Sequence, residues 1–527
     1  MTTATLVYGG NIWTGDEGVP RAEAFLVRGG RFAAVGSLAH VESHILAGER
    51  IERVDAKGSL VIPGITDAHI HLTALCKQGL YFDLAFTNSL EELLEAIEKH
   101  VRENGDARWL RVTNFNESNW EKPALPTMAQ IDAVSGGKPL LVSRYCGHIH
   151  LANRRAMTDA GLWDVRSEYI DRGADGEPTG VLRESGAGPI LERIVAEYET
   201  PEKIRRLALE SCKKLASMGI TAAHACDAPL YGLPEDLSIF QDLHDEGALP
   251  LRVISYFDTL PNYSFRSGFG DDFVGFAGFK IFVDGGLGGR GAAMREDFSD
   301  APGVRGTLNH TDEELYALVR RATERDLQIQ IHMIGDAAID QAIRVCKKVV
   351  RDLGRKPRYP LRFNHLIVSP PDQLEGLKEL GVVVDIQPIQ VHTDRNMAPA
   401  RIGRERMRHI YPFRRLYDSG LLLTGSSDGP MEDANPWIGV WAAVCRTNYD
   451  GTPLKDAKMD EVLTLDEALT IYTKNPYRAI GWKSYGVIAE GAHADFAILE
   501  NDPFTEDKQK LKDVRVRATY LEGVKTF

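Results

Sequence analysis

The stretch Pro63-Gly64-Ile65-Thr66-Asp67-Ala68-His69-Ile70-His71 is an apolar run, opened by a Pro-Gly turn signal, that ends on two histidines two positions apart. On a β-strand residues i and i+2 share a face, so both imidazoles can address one metal ion. The C-terminal end of a parallel strand is also where an α/β barrel keeps its chemistry. Alone the pair is a weak signal, because the same spacing recurs in His148-Ile149-His150.

Outward from this strand, apolar runs alternate with longer helical stretches, as in Thr311–Arg325 followed by Gln328–His332. Such alternation predicts a parallel sheet. Strands are expected at Ile65–Ile70, Leu140–Ser143, Gly219–His224, Arg252–Phe257, Phe279–Val283, Gln328–His332, Leu361–His365, Val382–Gln387 and Leu421–Ser426. That is one more than the eight of a (β/α)8 barrel, so one belongs to an insertion, placed after the first barrel strand at about residues 73–200 and expected over the mouth of the site. Both ends of the chain carry short strands split by turns such as Gly9-Gly10-Asn11, Gly29-Gly30-Arg31 and Glu500-Asn501-Asp502-Pro503. The expected fold is α/β: a TIM barrel over 63–482, with 1–62 and 483–527 forming one small β-sandwich domain.

Four further strands end on residues able to bind metal. Phe279-Lys280-Ile281-Phe282-Val283-Asp284-Gly285 buries a lysine, which either pairs with a carboxylate such as Asp284 or, carboxylated by carbon dioxide, offers two oxygens to bridge two metals. Ile329-Gln330-Ile331-His332 and Arg362-Phe363-Asn364-His365 each close on histidine, and Leu423-Thr424-Gly425-Ser426-Ser427-Asp428 breaks into a polar turn. Singly, each histidine is as well explained by core packing and Asp428 by an ordinary turn.

Together, and in this order, the segments resemble the amidohydrolase superfamily, in particular its family-3 branch that includes N-substituted formamide deformylases. The resemblance rests on the Pro-Gly-led H-x-H, F-K-x-F-x-D-G, H-x-x-G-D, the strand-end His365, G-S-x-D-x-P and the closing Gly491-Ala492-His493-Ala494-Asp495-Phe496-Ala497-Ile498-Leu499, and spans nearly the whole chain. It implies that His69, His71 and Asp428 hold one divalent metal and His332 and His365 a second, with carboxylated Lys280 between them. Zinc suits such donors, with one or two ions per chain. A water held there falls to a pKa of about 7. Asp428 would take its proton and return it to the leaving nitrogen.

The implied reaction is hydrolysis of a carbon–nitrogen bond, other than a peptide bond, of amide, N-formyl or N-acyl type in a small organic molecule. The alternatives are a deaminase or esterase on the same scaffold, or a barrel that binds without turnover. Substrate contacts are expected from His148, Trp120, Arg290 in the glycine-rich 284–291 loop, and His392. Each has a plain alternative as a packing or structural residue.

Composition limits the remaining classes. A net charge of −13 disfavours nucleic acid, and 43% hydrophobic with 26% charged residues suits a globular enzyme. The first residues lack a signal-peptide pattern and no apolar run is long enough to span a bilayer, so a cytoplasmic protein without a membrane partner, open to homo-oligomer formation, is expected. The six cysteines lack C-x-x-C spacing and are expected to be free thiols.

Overall fold

A computed structural model describes residues 3–117, 120–145, 149–228, 236–258, 260, 266–454 and 458–527. The chain divides into two compact units, Met1–Ala74 with Leu209–Phe527, and Leu75–Ala208.

In the first unit, eight strands follow one another around a sheet in chain order: β1 (Ile65–Ile70), β2 (Ile220–Ala228), β3 (Arg252–Phe257), β4 (Val274–Phe282), β5 (Gln328–Met333), β6 (Arg362–His365), β7 (Val383–Ile386) and β8 (Leu422–Gly425). Every adjacent pair from β1 to β8 is parallel. Just beyond the ends of β8 and β1 the ring is drawn together, Asp428 N donating to His69 O (2.9 Å) and His71 N to Gly429 O (2.8 Å). The sheet is thus a nearly closed barrel. Its strands are buried on both faces, which is why they stand out as continuous apolar runs.

The helices between strands start and stop on local signals. Asp312–Glu324 begins with a capping box between Thr311 and Glu314, and Asp336–Leu353 ends at Gly354, whose φ of 63° fits the left-handed C-terminal cap. Register places the rim residues side by side: Lys280 opposite Gln330, Phe282 opposite His332, and Met333 opposite His365.

Gly278 marks a tight approach between β4 and β5. It pairs with Gln328, and a Cβ there would lie 2.0 Å from the Gln328 carbonyl oxygen. Gly278→Ala is therefore expected to force the strands apart and to cost about 1–3 kcal/mol in urea unfolding. A loss below about 0.5 kcal/mol would show that the sheet yields there.

Both ends of the chain enter one eight-stranded sheet, where Leu60–Pro63 pairs antiparallel with Phe496–Leu499. Phe25 packs edge-on against Phe32 and Phe496 at 5.0 and 4.9 Å in its core. This sheet joins the barrel covalently through Pro63-Gly64 and by Gly64 N donating to Asp495 O (2.9 Å).

The Leu75–Ala208 unit has its own six-stranded sheet and apolar core. The ninth expected strand is found there, as Leu140–Arg144. Among the described residues, no helix is long and apolar enough to cross a membrane, and the five described cysteines are free thiols.

Candidate metal centre

His69 and His71 emerge together at the end of β1, and their Nε2 atoms lie 3.2 and 3.4 Å from a single oxygen, Oδ1 of Asp428. Asp428 is held in the left-handed region (φ 64°), as are His365 (φ 75°) and Leu366 (φ 48°) at the end of β6. Each such residue costs on the order of 1–3 kcal/mol and persists where its surroundings fix it. Here the backbone link from Asp428 N to His69 O does so, reinforced by Asp67, whose carboxylate accepts from His69 N (3.2 Å) and from Ser427 N (3.1 Å).

The two halves of the expected donor set face each other. The His69 ring lies 5.2 Å from that of His365, which lies 4.5 Å from that of His332. Ligand atoms of His69, His365 and Asp428 fall within 4.8 Å of one another, a grouping that spans both expected halves and could share one ion. Lys280 Nζ lies 3.5 Å from His69 Nε2.

Electrostatics suits a cation. Burial, then Lys280, lowers His69 to about 4, and burial with His332 nearby holds His365 well below its ordinary value. Both imidazoles are therefore neutral, the form that ligates metal. Burial pushes Asp428 upward, but hydrogen bonds from His69 and His71 outweigh it and keep the carboxyl well below the usual range. A buried carboxylate aimed at neutral imidazoles is a donor set that a divalent metal fits, and burial lowers the neighbouring Lys280 to about 8, which eases loss of its charge.

Lys280 does not pair with Asp284. Asp284 instead accepts from the backbone N–H groups of Ile334 (3.0 Å), Gly335 (2.9 Å) and Ala293 (3.0 Å), and stands 3.2 Å from His332 Nδ1. Lys280 Nζ donates to Asn364 Oδ1, while Asn364 Nδ2 donates to Asp385, which is bound in turn by Arg362. Asn364, Asp385, Gln330 and Gln387 support the ligands, and sequence reasoning missed them. A signal existed: Arg362 and Asn364 alternate inside an apolar strand, so both point inward, and Asp385 stands opposite Asn364 in register.

Of the four residues expected to contact substrate, three are described. Trp120 is buried in the core of the Leu75–Ala208 unit, its indole N–H donating to Thr87 O (2.8 Å). Arg290 is held by both oxygens of Asp300 at 3.0 and 2.9 Å. His392 is buried against Trp441 and Tyr449, with ring separations of 5.4 and 4.0 Å. His148 lies outside the described residues. Of the two histidines of the decoy pair, His150 is described, buried with Nδ1 2.9 Å from Ser143 Oγ.

Comparison with known proteins agrees with this geometry. The chain is 29% identical to YtcJ of Bacillus subtilis (strain 168), a protein named as a candidate amidohydrolase, over 98% of each chain. It is 27% identical to the N-substituted formamide deformylase of Arthrobacter pascens, over 98% of this chain and 97% of the other. Among solved structures, an uncharacterized metal-dependent hydrolase from Pyrococcus horikoshii OT3 superposes with a TM-score of 0.79 at 26% identity, covering 96% of this chain and 99% of that one. Residues 52–527 match the amidohydrolase family, which takes in every barrel strand and every donor described above, and the chain belongs to that family of hydrolases.

Proposed function

We propose that this chain is a metal-dependent hydrolase that cleaves a carbon–nitrogen bond of amide, N-formyl or N-acyl type in a small organic substrate. The observation that carries the reading is the convergence of His69 and His71 Nε2 on one Asp428 oxygen, with the His332–His365 pair and Lys280 beside it. His69, His71 and Asp428 would hold one zinc ion and His332 and His365 a second, with Lys280 carboxylated between them. A bound divalent metal lowers the pKa of water to about 7 and polarises a carbonyl.

The chain's own residues supply the rest. Asp428, charged because the two imidazoles stabilise it, accepts the proton of the attacking water and passes it to the departing nitrogen. Asn364 offers Lys280 an acceptor and keeps its own N–H groups for Asp385, a seat that still serves the single N–H of a carboxylated lysine. A buried ammonium facing a neutral amide is costly, and carboxylation would remove that charge. The near full-length likeness to a formamide deformylase favours the N-formyl and N-acyl classes. We also read 1–62 with 483–527 as one β-sandwich domain on a barrel of 63–482, with 73–200 as the insertion.

The test is elemental analysis of protein purified without chelator, followed by a panel of N-formyl and N-acyl amines, esters and amino-heterocycles. Wild type is expected to carry about two metals per chain and Lys280→Ala one or none, with turnover of the amide substrates. Turnover surviving complete metal removal, or wild type holding no metal after supplementation, would overturn the reading. Turnover confined to esters or amino-heterocycles would overturn the bond class.

A further inference from the structure

We infer that Gln387 sets the tautomer of His365, placing the ring proton on Nδ1 and leaving the Nε2 lone pair for a metal. The inference rests on the metal reading above and concerns a residue that the donor set does not include.

Gln387 lies just past β7, and its two amide atoms are told apart by their partners. Nε2 donates to the backbone carbonyl of Asp385 (3.2 Å) and to Ser426 Oγ (2.9 Å), whose own proton goes to Ile386 O (3.0 Å). A carbonyl oxygen only accepts, so the amide nitrogen must face it. The amide oxygen is thereby turned to His365 Nδ1, at 2.8 Å. An amide oxygen cannot donate, so Nδ1 carries the proton, and a buried imidazole with one proton then has its lone pair on Nε2. The orientation is thus fixed by a backbone carbonyl of the barrel wall and transmitted through one side chain to the ligand.

His69 is held differently: Gln330 Oε1 lies 3.2 Å from its Nδ1, but Cys226 Sγ stands 3.6 Å from the same nitrogen, the Gln330 amide nitrogen has no partner among the described residues to fix its orientation, and Nε2 faces Asp428. Without the Gln387 acceptor either tautomer is open to the His365 ring, and the one protonated on Nε2 has no lone pair there for a metal. Outer acceptors of this kind are worth roughly 10–100-fold in metal affinity.

The test uses the full chain, wild type and Gln387→Met, with two readouts. Zinc affinity is measured by competition with a chromophoric chelator, and ring-nitrogen chemical shifts are recorded on metal-free protein carrying isotope-labelled histidine. We expect Gln387→Met to bind zinc about 10–100-fold more weakly. Wild-type spectra should show His365 protonated at Nδ1, and the variant should lose that signature. Zinc affinity within twofold of wild type in Gln387→Met would overturn the inference while leaving the hydrolase reading intact. If wild type binds no zinc, the hydrolase reading fails, and the spectra alone decide: an unchanged tautomer in the variant overturns the inference, a changed one upholds it.

Discussion

Asp428→Asn is expected to lower kcat by about 10^2–10^4-fold on any substrate the wild type turns over, and to leave the metal-free protein less stable than wild type at neutral pH. Both effects come from the loss of one charge. Asp428 is buried, at 7% exposure, and its charge is offset by contacts to two histidine Nε2 atoms rather than by a salt bridge to lysine or arginine. Asparagine keeps the shape and the backbone link to His69, but removes a charge that the histidine contacts hold below the usual carboxyl range, and with it stability that is present above that range and lost as pH falls through the folded value. It also removes the carboxylate proposed to take a proton from water and to return it to the leaving nitrogen. A residue kept for folding alone would lose stability on this change with its rate unaffected. The measurement is kcat at saturating zinc beside a denaturant titration of metal-free protein. Loss of stability with kcat retained within tenfold would assign Asp428 a structural part.

The barrel was legible because strands buried on both faces produce unbroken apolar runs, and each of the eight appears close to where those runs lie. Boundaries shifted where a local signal conflicted with tertiary packing. β4 starts at Val274 rather than Phe279, because Gly275 and Gly278 resemble turn residues, whereas Gly278 in fact serves close strand approach. β2 runs on to Ala228, past His224. The candidate donors drew attention for a related reason: a polar residue that ends an apolar strand has to lie on the rim. What pairs with each of them was not legible. Asp284 is the nearest carboxylate to Lys280 in sequence, yet the partner is Asn364, two strands away. That contact depends on the register among β4, β5 and β6, which a closed ring of strands determines and a single sequence does not display. Trp120 shows the converse limit, since aromatic residues fill cores and line pockets alike, and here the indole N–H is satisfied by a backbone carbonyl within its own unit.

Arg362→Met is expected to destabilise the metal-free protein by about 3–5 kcal/mol in denaturant unfolding, the largest effect of any single change outside the donor set. Arg362 is fully buried inside the barrel, one layer below the histidines. Its guanidinium donates to both oxygens of Asp385, to Ala68 O (2.7 Å), to Tyr256 Oη (2.7 Å) and toward His224 Nδ1 (3.0 Å), so it links β6 to β1, β2, β3 and β7. Methionine fills much of the volume but leaves Asp385 as an isolated carboxylate in the core, with only Asn364 and Thr424 donating to it. Most of the expected loss is that uncompensated charge, not the forfeited attraction. Arg362→Met combined with Asp385→Asn should therefore be more stable than Arg362→Met alone, an inversion that summed contact energies would not give. A single variant losing less than about 1 kcal/mol, or a double variant losing the sum of both, would show that the pair is not coupled as the geometry indicates. The same change reaches the metal centre through one further side chain. Asp385 is what turns the Asn364 oxygen toward Lys280, so Arg362→Met should also lower the metals bound per chain, joining the stability of the barrel floor to the chemistry above it.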